Sequence, residues 1–268
     1  MRSALFHFFD FPVDPYGFML GLSFLAGIGF AAWRARRDDL NPHAILDLGI
    51  LIIIGVVLGS RLYYALLHLE EFEGNLLNAF NPFGEGGGAQ GLVMYGGLIG
   101  GILAGFIYMR LKQISFPRYA DAIAPSIALG VFLTRIGCFL NGCCFGKGWG
   151  GPLAVSFPPD SPPGQFQEQV HVAGLHPSQL YESFGGLVIL IVLLTVGRSW
   201  KRWDGLQFYM AILLYSGLRF MVEYTRHFEP GEMLGPFTHN QVVCIVLFAA
   251  SGFLVLRSLG TEPKLAAA

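Results

Sequence analysis

Charge is what this chain has least of. Only 13% of its 268 residues are Asp, Glu, Lys or Arg, against roughly 25% in a soluble domain, and the deficit runs the whole length. That excludes an ordinary water-soluble fold, and neither a soluble second domain nor a nucleic-acid partner is expected. Met1–Asp10 lacks a basic stretch followed by an apolar run and a small-residue cleavage site, so no signal peptide is expected there. No inverted repeat relates the two halves. Cysteine is sparse, with four residues, three of them crowded into seven positions from Cys138 to Cys144.

What is abundant is apolar. Hydrophobic residues make up 53% of the chain and the mean hydropathy is +0.54. The expected fold is all-α: one polytopic membrane domain over residues 1–268. A span needs about 20 mostly apolar residues. Runs at 16–33, 44–66, 91–110, 121–140, 179–197, 205–224 and 239–257 predict seven transmembrane helices. Basic clusters follow every other span: Arg34, Arg36 and Arg37; Arg110, Lys112 and Arg118; Arg198, Lys201 and Arg202; Arg257 and Lys264. The connection at 67–90 is acidic, with Glu70, Glu71, Glu73 and Glu85. By the positive-inside rule the N-terminus lies outside, and the short tail 258–268 is cytoplasmic.

That orientation gathers polar side chains on the outer side. The focal stretch is Thr134-Arg-Ile-Gly-Cys-Phe-Leu-Asn-Gly-Cys-Cys-Phe-Gly146, where a span meets water. An ionisable residue such as Arg135 is expensive there and is a functional candidate. A long outer loop, 142–178, follows; it is rich in Gly and Pro and suits a lid or binding loop. His176, Gln179 and Glu182 fall at i, i+3 and i+6, roughly on one face. Arg219 and Glu223 have the i, i+4 spacing of an ion pair, with Arg226 one turn on. Tyr16 is an interfacial anchor or a site residue. Arg61 either snorkels to headgroups or holds a phosphate or carboxylate. Gly55 and Gly59 make a small-xxx-small face. The glycines from Gly91 to Gly105 suit close packing or backbone opened along a cavity. Asp121 reads as a cap on its own helix.

Three chemistries compete. The cysteines allow a disulfide from Cys138 to Cys143 or Cys144, which fits an oxidising compartment. They also allow a zinc site with His171 or His176, although the Cys-x4-Cys-Cys spacing is not standard, an activated thiol beside Arg135, or simply packed thiols. Arg61, Arg135, Arg219 and Arg226 suit a phospholipid headgroup, because guanidinium matches phosphate bidentately; that reading needs no metal and no cofactor. Glycine-broken helices with intramembrane charge also describe transporters.

Taken together the motifs resemble the phosphatidylglycerol–prolipoprotein diacylglyceryl transferase family of bacterial inner membranes, over nearly the whole chain. Gly59-Ser-Arg61-Leu-Tyr63-Tyr64 is similar to its second-span pattern. Tyr95-Gly96-Gly97-Leu98-Ile99-Gly100 matches its HGGLIG motif except at the first position. Arg135-Ile-Gly137-x-Phe139-x-Asn141-Gly142 matches its signature stretch, and His176-Pro-Ser-Gln-Leu-Tyr-Glu182 its HPSQLYE. Arg219, Glu223 and Arg226 fall at its sixth-span positions.

The resemblance implies transfer of diacylglyceryl from phosphatidylglycerol to the lipobox cysteine of a prolipoprotein signal peptide, in a multi-pass inner-membrane enzyme embedded in the lipid bilayer. Glycerol phosphate leaves as a thioether forms. Arg135, Arg219 and Tyr95 would then be catalytic. Arg61, Asn141, Gly146, His176, Gln179, Glu182, Glu223, Arg226 and Tyr16 would bind or orient substrate. Tyr95 stands where the family has a His proposed as base, Cys138 where it has Asn, and Cys143 where it has Glu. A diverged paralogue acting on another thiol or lipid acceptor, or a transporter, is the alternative.

Overall fold

The computed structural model describes residues 6–8, 11–72, 94–199, 203–227 and 233–259. Its helices are α1 (Pro15–Arg37), α2 (Pro42–Leu67), α3 (Met94–Leu111), α4 (Phe116–Asn141), α5 (Pro162–Gln169), α6 (Ser178–Ser199), α7 (Leu206–Glu223) and α8 (His239–Leu259). Two small antiparallel hairpins, β1 (Phe6–Phe8) with β2 (Phe11–Val13) and β3 (Met233–Leu234) with β4 (Phe237–Thr238), depart from the all-α expectation. The acidic residues Glu73 and Glu85, the basic residues Lys201, Arg202 and Lys264, and the tail beyond 259 lie outside the described residues.

Five helices, α1, α2, α4, α6 and α8, are long and apolar enough to cross a membrane. Large apolar side chains such as Leu25, Ile54, Phe106, Ile191 and Val246 stay exposed along the long helices. A water-soluble surface would not carry so many; facing lipid, they cost nothing. The chain is a multi-pass membrane protein. Two further long helices are not among the five. Of α3, the described apolar stretch is Gly96–Leu111. In α7 the 18 residues include Gln207, which accepts from Arg34 at 2.9 Å, and Arg219 and Glu223, which belong to the site described below.

The backbone divides into two compact units, Ala35–Tyr119 and the remainder, Met1–Arg34 with Ala120–Ala268. In the first, α2 starts on Asn41, whose side chain accepts from the His43 amide at 3.0 Å, with Pro42 in the first turn. Helices α2 and α3 then meet backbone to backbone. A Cβ on Gly55 or Gly59 would strike the carbonyls of Gly100 and Gly96, and one on Gly96 or Gly100 would strike those of Gly59 and Gly55. Gly96, Gly97, Gly100 and Gly101 therefore serve close packing within a continuous helix, the first of the two sequence readings, while Gly91 lies outside the described residues. Tyr108 donates to Asp47 at 2.9 Å across the same pair.

In the second unit Ala124, Ala128, Ile189, Leu190, Leu193 and Ala211 form the buried core of α4, α6 and α7. Serine and threonine join neighbouring helices: Thr134 donates to Ser23 at 3.1 Å and Ser183 to the Phe132 carbonyl at 2.8 Å. Asp121 is a correction. Helix α4 begins at Phe116, so Asp121 is too deep to cap it. Its carboxylate instead accepts from the amides of Gly205 at 2.8 Å and Phe208 at 3.0 Å, capping α7. The loop after α4 is also more ordered than its Gly and Pro content suggests. Ser161 caps α5, accepting from the Gly164 amide at 3.2 Å, and Pro162 and Pro163 open that helix.

Candidate active site

The site begins with α6. Gln179 and Glu182 are one turn apart and each is 1% exposed. A carboxylate buried that deeply needs cations and donors around it, and Glu182 has them. Arg135 Nη2 lies 2.9 Å from its Oε1, Tyr215 donates to the same oxygen at 2.7 Å, and Arg219 Nη1 lies 3.8 Å from Oε2. Arg219 continues the chain, with Nη1 2.8 Å from Glu223 Oε2. Glu223 is 2% exposed; it accepts from Thr238 at 2.9 Å and Asn240 at 3.1 Å, and Arg226 Nε stands 3.9 Å from its Oε2. Three arginines thus alternate with two glutamates along α4, α6, α7 and the turn after α7, leaving an excess of one positive charge.

Gly146 and His176 have a different part. The amide of Gly146 donates to the His176 carbonyl, and the His176 amide to that of Lys147, both at 3.0 Å; Lys147 in turn donates to Thr225 at 2.9 Å. These bonds tie the loop to the start of α6 and the end of α7. A Cβ at Gly146 would meet Thr225, His176 and Ser178, so only glycine fits that crossing. His176 precedes α6 rather than sharing a helical face with Gln179 and Glu182. Its ring stacks on Trp149, centroids 4.3 Å apart, and its Nδ1 is 3.3 Å from the Tyr181 hydroxyl. Burial, with help from Lys147, holds His176 below its ordinary pKa, which favours the neutral ring.

The cysteines gather at the other end of Arg135. Its Nη1 is 3.9 Å from Cys138 Sγ. The sulfurs of Cys138, Cys143 and Cys144 all lie within 4.8 Å of one another. All four cysteines are free thiols, so the disulfide reading is not what the structure contains: three sulfurs converge where a bridge would take two. Gln179 donates to the Cys143 carbonyl at 2.7 Å. Asn141 is exposed and its side chain reaches the Cys143 thiol. The phenol of Tyr16 interacts with Arg135 and all three cysteines.

The structure therefore brings together Arg135, Glu182, Arg219, Glu223 and Arg226, with Tyr16, Asn141 and Gln179 at the adjoining thiols. Arg61 and Tyr95 belong to the other unit. Arg61 is half-buried in α2 with its guanidinium 5.4 Å from the centre of the Tyr64 ring. Tyr95 lies in the first turn of α3, and its side chain is outside the described residues. Sequence reasoning did not place Tyr215, Thr238 and Asn240 in the site. Tyr215 had a signal, since 215, 219 and 223 recur every four residues on one helical face.

A sequence model of the prolipoprotein diacylglyceryl transferase family matches residues 3–257. The chain is similar to phosphatidylglycerol–prolipoprotein diacylglyceryl transferases of several bacteria. With that of Clostridium tetani it is 31% identical, over 84% of this chain and 86% of the relative. With that of Clostridium botulinum (strain Hall) the identity is 29%, over 98% and 100%. With that of Rhodopirellula baltica it is 39%, over 63% of this chain and 33% of the longer relative.

Proposed function

The chain belongs to the prolipoprotein diacylglyceryl transferase family, and from that premise we propose that it transfers the diacylglyceryl group of phosphatidylglycerol to the lipobox cysteine of prolipoproteins. The observation that carries the site assignment is the alternation of Arg135, Glu182, Arg219, Glu223 and Arg226, three cations on two carboxylates. Glu182 and Glu223 hold the guanidinium groups in place before substrate arrives. The spare positive charge receives the phosphodiester of the lipid.

The acceptor thiol loses its proton and attacks the glyceryl carbon next to the phosphate. The S–C bond forms, the C–O bond breaks, and its electron pair leaves with glycerol phosphate. The phosphate gains charge as the bond breaks, so Arg135 and Arg219 hold it more tightly in the transition state than in the ground state, which is what accelerates the step. Tyr16, Asn141 and Gln179 border the acceptor's approach, and Gly146 with His176 shapes the loop over it. The roles of Arg61 as a headgroup contact and Tyr95 as the residue acting on the thiol rest on the sequence resemblance alone.

All of residues 1–268 serve one transferase domain of the bacterial inner membrane. Its seven spans are α1 to α4 and α6 to α8, with the N-terminus and the loop 142–178 outside and the tail 258–268 in the cytoplasm. The alternating basic clusters support this topology. The test is mass spectrometry of a lipobox peptide incubated with purified protein and phosphatidylglycerol vesicles. A product heavier by one diacylglyceryl group is expected. Uptake of a solute into vesicles with no covalent product would overturn the reading in favour of transport.

A further inference from the structure

We infer that Cys138, Cys143 and Cys144 form a three-thiolate site for zinc(II), with its fourth position left open for the acceptor's thiol; the inference about the acceptor rests on the transfer reaction proposed above. The three Sγ atoms lie within 4.8 Å of one another. Thiolates bound to zinc at about 2.3 Å in a tetrahedron stand about 3.8 Å apart. Closing the cluster on an ion thus needs inward movements of no more than about 1 Å. A disulfide would join two of these sulfurs and strand the third, whereas a metal uses all three.

The backbone around the thiols is built to bring them together. Cys138 sits in the last turn of α4, 4% exposed. Its carbonyl accepts from the amides of Gly142 at 3.0 Å and Cys143 at 3.1 Å, so the chain doubles back on the end of the helix. The return runs through Gly142 at φ 78° and Cys144 at φ 59°. The second of these is a left-handed conformation that a residue with a Cβ adopts only under constraint. The buried Gln179 fixes the Cys143 carbonyl from α6. Outer hydrogen bonds of this kind hold ligands in register in metal sites. Arg135 Nη1 stands 3.9 Å from Cys138 Sγ, placing a cation beside the sulfurs.

Among the described residues no His, Asp or Glu joins the three sulfurs. Three protein ligands and one open position are the pattern of catalytic zinc rather than of the closed structural kind. The position has an evident use, because the proposed reaction needs a thiolate and a thiol bound to zinc is deprotonated outright. The acceptor's sulfur takes the fourth place and its proton goes to water. The sulfur then attacks the glyceryl carbon, and the C–O electron pair departs with the phosphate beside Arg135. Zinc keeps its oxidation state, and no oxidant or reductant is required.

The experiment uses the full chain purified in detergent without chelator. Elemental analysis is expected to find one zinc per chain. After metal removal, cobalt(II) is expected to give a thiolate-to-metal charge-transfer band, and its d–d bands should shift with a lipobox peptide but not with the Cys→Ser peptide. Cys143→Ser and Cys144→Ser should each lose the metal and melt like the metal-free wild type, while Cys244→Ser keeps it. Wild-type protein with neither zinc nor a cobalt charge-transfer band overturns the inference, as does a disulfide mapped among the three cysteines. Full transfer activity in demonstrably metal-free protein overturns the zinc role and leaves the transferase intact. A zinc-loaded chain that makes no thioether instead overturns the transferase and leaves the metal site standing.

Discussion

Helices α2 and α3 are joined by what they lack, and helices α4, α6 and α7 by what they can hardly afford to carry. In the first pair glycine removes the side chains, so Gly55 and Gly59 meet Gly96 and Gly100 carbonyl to Cα. In the second group Arg135, Glu182, Arg219 and Glu223 put charge where an unpaired ion would be very costly. Lipid offers little hydrophobic force to press helices together, so both devices are ways of making contact without it. Only one of them also carries an excess of charge. The difference separates packing that serves structure from packing that serves chemistry, and substitutions can probe the two separately.

The largest effect is expected at Glu182. Glu182→Gln leaves Arg135 without its buried carboxylate and should cost about 3–5 kcal/mol, read as a lowered melting temperature in detergent, together with loss of lipid transfer. Tyr215→Phe deletes one hydrogen bond to that carboxylate and should cost about 1.5–3 kcal/mol; differential scanning fluorimetry would show it. Gly59→Ala forces a methyl against the Gly96 carbonyl and should cost about 1–3 kcal/mol. That penalty should be the same at low and high salt, since no charge is involved; a salt-dependent penalty would blur the contrast.

The smallest effect is the pH response of the loop that ties α4 to α6 and α7. His176 titrates below its ordinary value of 6.5 in the fold because burial and Lys147 disfavour its charged form. Below pH 6.5 the unfolded chain therefore binds the proton more readily than the folded one. Its contribution to stability is complete above pH 6.5 and declines as pH falls through the lowered value. Melting curves of the wild type should show this acid-side decline, and His176→Gln should flatten it.

Part of the site could be read in the sequence because two of its ion pairs are local. Arg219 and Glu223 are one turn apart, and their ion pair at 2.8 Å is what the spacing foretells. Glu182 and Arg135 stood out as ionisable residues at the ends of apolar runs. What escaped depends on contacts made across the chain. Asp121 looked like a cap and is one, but for a helix whose N-cap, Gly205, lies 84 positions further along. Tyr215, Thr238 and Asn240 became site residues only when folding brought their polar atoms to the two glutamates. Helix α5 was hidden because its eight residues, Pro162–Gln169, have no apolar stripe to signal a helix. The cysteines misled in another way, since sequence invites pairing and the fold gathers three.

Arg135 carries the proposed chemistry most directly. Thioether formation on a lipobox peptide, followed by mass spectrometry with phosphatidylglycerol as donor, compares the wild type with Arg135→Ala in protein shown to be folded by its melting curve. Loss of a positioned charge on the departing phosphate predicts a rate lower by at least about 10²-fold. Product from Arg135→Ala at the wild-type rate would contradict it.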